Sequence, residues 1–366
     1  MPMPKNAVSV LSAAIASGAA GFAHSAPVLV EDGWSLERVV AFTQPISPLI
    51  NPVDGLLYAG SRNGGVFRIL TDDSTELLSN IGDVGGLMVD PATGNLFASN
   101  DFPGFIERIG TDGTVENWVT GFHSGDDDPT GMCIVPDSYT GDVVTPGTAL
   151  VADRGFSGPD EVWAWSVETA QDEFAVHTDD GTLVDPFDIA ANDTTVLVAD
   201  ASSTGLFIVN ADGSLTPLDT PDHDFVEVHA VVADPLSETD FFALDAGSGE
   251  VLRVNTDTGA VSVLLTGLTP GVTEWGNVNV SADFDKGIAR LIVGNREGGE
   301  IYVYSTNIPD PCAADVTGDD AVDLADLNLV LANFGLDTSD GDADGDGQVN
   351  LVDLNLVLAG FGADCG

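Results

Sequence analysis

The segment VLVADASSTGLFIVNADGSLTPL, Val196–Leu218, contains an apolar run, a short polar break, a second apolar run and an Ala-Asp-Gly turn that opens a third. Each run is rich in β-branched and aromatic residues and stops after about five positions, as short strands packed on both faces do. Asp212-Gly213 supplies a tight hairpin turn, so the last two runs pair as neighbours. A further run beginning at Asp185-Pro186-Phe187-Asp188 makes the unit four strands long.

The same order recurs along the chain. LLYAG (56–60), NLFAS (95–99), ALVAD (149–153), VLVAD (196–200), FFALD (241–245) and LIVGN (291–295) stack as one position of a repeat. Each follows a turn rich in Asp, Pro, Gly or Asn and precedes another strand, such as Gly65–Ile69, Glu161–Trp165 or Glu300–Tyr304. Four strands repeated about every 40 to 50 residues predict an all-β, six-bladed propeller over residues 34–306. Glu37–Phe42 precedes the first unit and is placed to complete the last blade, closing the ring. A two-sheet sandwich explains the short strands but not six copies in one order.

Composition restricts partners. Fifty-nine acidic against 10 basic side chains give a formal net charge of -49, which repels nucleic-acid phosphates and anionic membrane surfaces. Lys5 followed by the small-residue apolar stretch Ala7–Ala23 reads as a signal peptide over residues 1–26, cleaved after Ala23 or Ala26. A secreted or cell-surface protein without a transmembrane anchor is expected. With three cysteines, disulfides are not the main framework, and Cys133 reads as a small buried apolar residue.

After a Pro-containing linker, 307–311, the chain changes character. Asp315–Asp326 (DVTGDDAVDLAD) and Asp342–Asp353 (DADGDGQVNLVD) set oxygens in calcium-loop order. The ligand positions are Asp315, Thr317, Asp319, Ala321, Asp323 and Asp326 in loop one, and Asp342, Asp344, Asp346, Gln348, Asn350 and Asp353 in loop two. Ala321 and Gln348 would contribute backbone carbonyls. Thr317 offers a neutral hydroxyl and Asp320 stands where Gly is usual, so loop one is expected to bind more weakly. Each loop runs into an apolar helix, LADLNLVLANFG or LVDLNLVLAGFG. Leu327, Leu331 and Phe334 share one helical face, as do Leu354, Leu358 and Phe361, and the two stripes are expected to bury each other. Cys312 and Cys365 flank the segment and could close it as a disulfide, two free thiols being the alternative.

Two F-hand loops without an entering helix resemble a type I dockerin, here a small all-α calcium-binding domain at 312–366. The terminal Cys-Gly is similar to a planctomycete-type subgroup of such tails. The resemblance implies two Ca²⁺ ions, a cohesin-like or cell-surface anchoring partner, and a setting near polysaccharide breakdown. Leu324-Ala325 and Leu351-Val352 replace the recognition residues of well-known clostridial dockerins. The repeat resembles NHL-type and gluconolactonase-like propellers in rhythm only, with no early Glu ligand and Asp185-Pro186-Phe187-Asp188 in place of a Pro-Asp-Gly start.

In the propeller, the closing letters of the stacked runs are Gly60, Ser99, Asp153, Asp200, Asp245 and Asn295. Asp153, Asp200, Asp245 and Asn295 are candidates for a third, channel cation, and Asp188 and His229 for acid/base chemistry. The competing reading is that such strand-ending Asp residues accept backbone N–H bonds. Trp163 and Trp165 read as blade packing or as a sugar platform, and Gly125–Asp128 as a solvated acidic loop or a further calcium site. His123, His177 and His223 read as surface or hydrogen-bonded residues. Hydrolase motifs, phosphate loops and zinc-spaced Cys pairs are missing from the sequence. Two functions follow: a secreted, calcium-tethered propeller presenting a carbohydrate or small-molecule ligand face, or a metal-dependent lactonase.

Overall fold

The computed structural model describes residues 26–366 except 63, 101–103, 121–127, 156–158, 169–173, 179, 202–204, 270–277, 309–310, 364 and 366. The signal segment, His24, His123 and most of the Gly125–Asp128 loop therefore lie outside the described residues. Six antiparallel sheets follow one another in chain order. Five blades start at inner strands Pro45–Ile50, Val84–Val89, Pro129–Ile134, Pro186–Ala191 and Val228–Ala233. In blade 6 the order is Val278–Asp283, Ile288–Asn295, Glu300–Asn307 and then Ser35–Ala41. That last strand pairs Leu36 with Tyr304 and Ala41 with Glu300, so the N-terminal strand closes the ring, as expected.

One strand was not anticipated. Val28–Leu29 adds a fifth strand to blade 5 by pairing with Thr266 and Leu265. Arg253 holds that crossing segment, bonding Glu31 at 2.9 Å while also meeting Asp234.

Burial explains which strands the sequence advertised. The second strand of blade 1, Leu57–Ser61, is buried along its whole length, as is Val196–Asp200 in blade 4. Both faces of such a strand meet neighbouring blades, so the run is apolar up to its last residue, Ser61 or Asp200. Outer strands carry a weaker pattern, because Thr75–Ser79 and Leu215–Pro217 are largely exposed. Trp165 is 1% exposed and packs near Trp118, whose ring lies 4.6 Å from Phe97. The tryptophans thus belong to the packing between blades 2 and 3.

Turns account for part of the acidity. Asp72, Asp112 and Asp212 each accept the backbone N–H two residues on, from Ser74, Thr114 and Ser214, in the hairpins between third and fourth strands. Asn51, Asp90, Asn192 and Asp234 do the same between first and second strands. These are Asx turns, in which a short side chain replaces a missing backbone partner.

The C-terminal segment holds two short helices, α1 (Leu324–Asn333) and α2 (Leu351–Ala359). Its core corrects the expected stripe. Val322, Val330, Val349 and Val357 are fully buried with Leu327 and Leu354 packed against them, whereas Leu331, Phe334, Leu358 and Phe361 are about half exposed. With only a valine layer between them, the helices turn the larger side chains outward. Cys312 and Cys365 form a disulfide.

Candidate functional site

Each helix of the C-terminal segment begins by capturing a carboxylate. Asp323 caps α1 and accepts from Ala325, while Asp326 accepts from the backbone of Asp323 at 2.8 Å. Asn350 and Asp353 repeat this capping box on α2, the latter bond being 2.6 Å. Asp326 also takes bonds from the backbone and hydroxyl of Thr317, and Asp353 from the backbones of Ala343 and Asp344. Both carboxylates are 0% exposed. Burial pushes their pKa values up, but the backbone N–H bonds outweigh it and hold both below the ordinary Asp value. They are therefore charged.

The loops fold back on those charges. Asp315 accepts from Gly318, Asp319 and Asp320, and Asp342 from Asp346 and Gly347. As a result, oxygens of Asp315, Asp319 and Asp326 lie within 4.8 Å of one another, and so do those of Asp342, Asp344 and Asp353. Among the described residues these two groups stand out as possible ion holders. Asp344 shows the strain of such crowding: the Asp346 N–H lowers its pKa, but desolvation and the charges of Asp346 and Asp353 push it up overall. A hard cation relieves that repulsion, and an all-oxygen set at this spacing suits calcium.

The other loop positions are placed differently. Asp346 accepts the backbone N–H of Gln348, while Asp323 and Asn350 serve as helix caps. Ala321 and Gln348 lie at the carbonyl positions, the Gln348 carbonyl being 3.5 Å from the Asn350 amide. Gly347 has φ 87 and Asp320 φ 67, so the non-glycine residue of loop one sits in left-handed backbone. The loops also cross-brace. Val322 of loop one exchanges backbone bonds with Gly362 and Ala363 beyond α2, and Val349 of loop two with Gly335 and Leu336 beyond α1.

In the propeller, structural register revises the stacked alignment. Asp153 pairs with Pro129, Asp200 with Pro186 and Asp245 with Val228, and the matching residues in blades 1 and 2 are Ser61 and Asn100. Gly60 and Ser99 are each one position early. In blades 1, 2, 4 and 5 the residue at this position holds the loop entering the same blade. Ser61 bonds the Thr43 carbonyl, Asn100 the Ile81 carbonyl, and Asp200 accepts from Val184 and Asp185. Asp245 accepts from Val226, Glu227, Gly247 and Ser248. Asn295 accepts from Gly298. Among the described residues, the carboxylates of Asp153, Asp200 and Asp245 do not form a group with oxygens within 4.8 Å of one another.

Asp188 has a different setting. It lies in a cavity of about 150 Å³ on the ring axis, lined by all six inner strands, with Cys133 and Asn279 among its walls. Its two oxygens accept from Ile189 and from Val231 of the next blade. Gly131 makes room for it, since a Cβ there would stand 1.9 Å from the Asp188 oxygen. Burial pushes the Asp188 carboxyl up to about 8 and raises the Cys133 thiol as well. Asp188 is thus a brace between blades 3, 4 and 5 whose burial makes it hold its proton well above the ordinary Asp range.

The channel mouth carries residues that sequence reasoning missed. Just before inner strands stand Asp83, Asp185 and Glu227, and just after second strands stand Arg62, Arg154 and Arg296. Arg154 meets Asp185 and lies 4.9 Å over the ring of Phe187, on whose plane His229 stacks at 4.4 Å. His229 Nε2 is 3.2 Å from Glu227. Burial raises the pKa of both Asp83 and Asp185. Part of the signal was available in the repeat, because Arg154 and Arg296 each directly follow a stacked run.

No protein-family model and no curated protein matches the chain. Solved structures match in shape. A Trichoderma reesei carbohydrate-active enzyme of family AA12 aligns with TM-score 0.57 and 15% identity over 79% of this chain and 99% of its own. A calcium structure of the same enzyme family aligns with TM-score 0.55 and 16% identity over 77% and 97%. A Xanthomonas campestris gluconolactonase aligns with TM-score 0.53 and 15% identity over 78% and 98%. At these identities the likeness shows the fold alone: the chain contains a six-bladed β-propeller.

Proposed function

We propose that the protein is a secreted propeller attached through a calcium-binding, dockerin-like C-terminal module to a cohesin-like or cell-surface partner. The observation that carries this is the duplicated cluster, three carboxylates within 4.8 Å, repeated with its capping box and helix. The outward residues supply a partner face. Leu324 and Leu331 on α1 with Phe334 just after it match Leu351 and Leu358 on α2 with Phe361 just after it, all about half exposed or more. Duplicated apolar side chains of this kind on a strongly acidic surface suit protein docking.

Calorimetry of the full chain with calcium and with chelator tests the proposal. One transition should fall on chelation while the propeller transition stays, because saturating ion at about a thousand times Kd contributes about 4 kcal/mol. Two unmoved transitions would sink it.

A second reading, a hydrolase of lactones, is favoured by the His229–Glu227 and Arg154–Asp185 pairs around Phe187 at the channel mouth. The channel metal of that reading loses support, since Asp200 and Asp245 are engaged with backbone N–H groups. A role near polysaccharide breakdown belongs to the same proposal, supported by the dockerin resemblance and by the fold shared with an AA12 enzyme.

A further inference from the structure

A cleft of about 800 Å³ opens on the seam where the ring closes, at the end of the propeller opposite the channel mouth. Its walls are loop 51–55 of blade 1, residues 281–284 and Lys286 of blade 6, and Glu37 and Arg38 of the closing strand. The volume falls within the range of small-ligand sites.

The charge in this cleft is unlike the rest of the surface. Three of the chain's 10 basic residues, Arg38, Lys286 and Arg290, face it with the acids Glu37, Asp54 and Asp283. In a protein of net charge -49 the cleft is locally balanced. The groups are also fixed. Arg290 bonds Glu37 at 2.7 Å, Lys286 bonds Asp283 at 2.6 Å, and Arg38 reaches both Asp73 and the Leu70 carbonyl at 2.6 Å. Planar donors and acceptors held before a ligand arrives recognise hydroxyl pairs without a large ordering cost.

An aromatic ring completes the arrangement. Phe284 is 66% exposed on a single 3-10 turn whose N-cap, Asp283, accepts from Lys286 and whose last residue leads into Gly287 at φ 63. Val53 is 55% exposed on the other wall. Apolar faces flanking fixed, mutually neutralised polar groups match a ligand with alternating C–H faces and hydroxyls, and offer no excess charge to an ionic one.

We propose that the seam cleft binds a neutral oligosaccharide, with Phe284 stacking on a sugar face and the Glu37, Arg290 and Asp283 groups reading hydroxyls. This goes beyond the attachment role, and its test is independent of that role. Full-length, calcium-saturated protein is titrated calorimetrically with cellohexaose, xylohexaose, mannohexaose and hexagalacturonate. At least one neutral hexaose should bind with little salt dependence, and Phe284→Ala should weaken it about tenfold, with Phe284→Tyr restoring it. Phe284 is too exposed for its loss to unfold the blade, and Lys286→Ala gives a second variant at an equally open position. Lack of binding by every neutral hexaose at about 5 mM overturns the proposal. So does tighter binding of hexagalacturonate, or binding unchanged in both alanine variants.

Discussion

The propeller and the C-terminal segment both hold buried carboxylates with backbone N–H groups but differ in what else stands beside them. In the propeller, Asp245 faces four backbone N–H groups and Asp188 two, so each charge or dipole is answered within the protein. In the tail, Asp326 and Asp353 also accept backbone N–H groups on both oxygens, yet each lies within 4.8 Å of two further carboxylates that the protein itself leaves unneutralised. The difference is one of core size. Interlocking sheets bury enough apolar surface to stand alone, whereas a five-residue valine and alanine core does not and needs outside help.

The largest expected effect concerns pH. Asp188 has a folded pKa of about 8 against an ordinary 3.8. Its contribution is fully present below 3.8 and is lost as pH rises through about 8, because ionising it in the cavity is unfavourable. Asp188→Asn should remove that slope, leaving the variant the more stable at pH 9 by up to several kcal/mol relative to its standing at pH 4. Denaturant titrations at both pH values read it; parallel curves would show that Asp188 is not the brace described.

The disulfide ranks next. Its sequence separation of 53 corresponds to about 4 kcal/mol in the chain-entropy model. Cys312→Ser with Cys365→Ser should lower the tail transition by that order and leave the propeller transition in place. A fall in both would join two regions that are here kept apart. Smaller again, Asp245→Ala should cost the propeller about 2 to 3 kcal/mol by stranding N–H groups, and chelator should not alter that cost. Sensitivity to chelator would instead revive Asp245 as an ion ligand.

Legibility followed burial. Leu57–Ser61 and Val196–Asp200 lie between blades, so their continuous apolar runs announced six units, and Glu37–Phe42 was placed as the closing strand from edge reasoning alone. Thr75–Ser79 and Leu215–Pro217 face water and left little trace. Gly60 and Ser99 stand one position before the residues in register, because residue type alone does not fix register and Ser61 and Asn100 do the work of Asp with different atoms. The helix stripe failed for a related reason. Leucine periodicity shows that a face is apolar but not whether valines have already filled the layer behind it.

By itself the sequence determined the repeat, the ring closure and the carboxylate order of the two loops, since each is a matter of spacing along one chain. Tertiary structure alone decided which carboxylates meet each other and which meet backbone N–H groups, where Arg154, Asp185, His229 and Glu227 converge, and that a balanced cleft lies on the seam. Those outcomes depend on distances between residues far apart in the chain, set by how the blades pack.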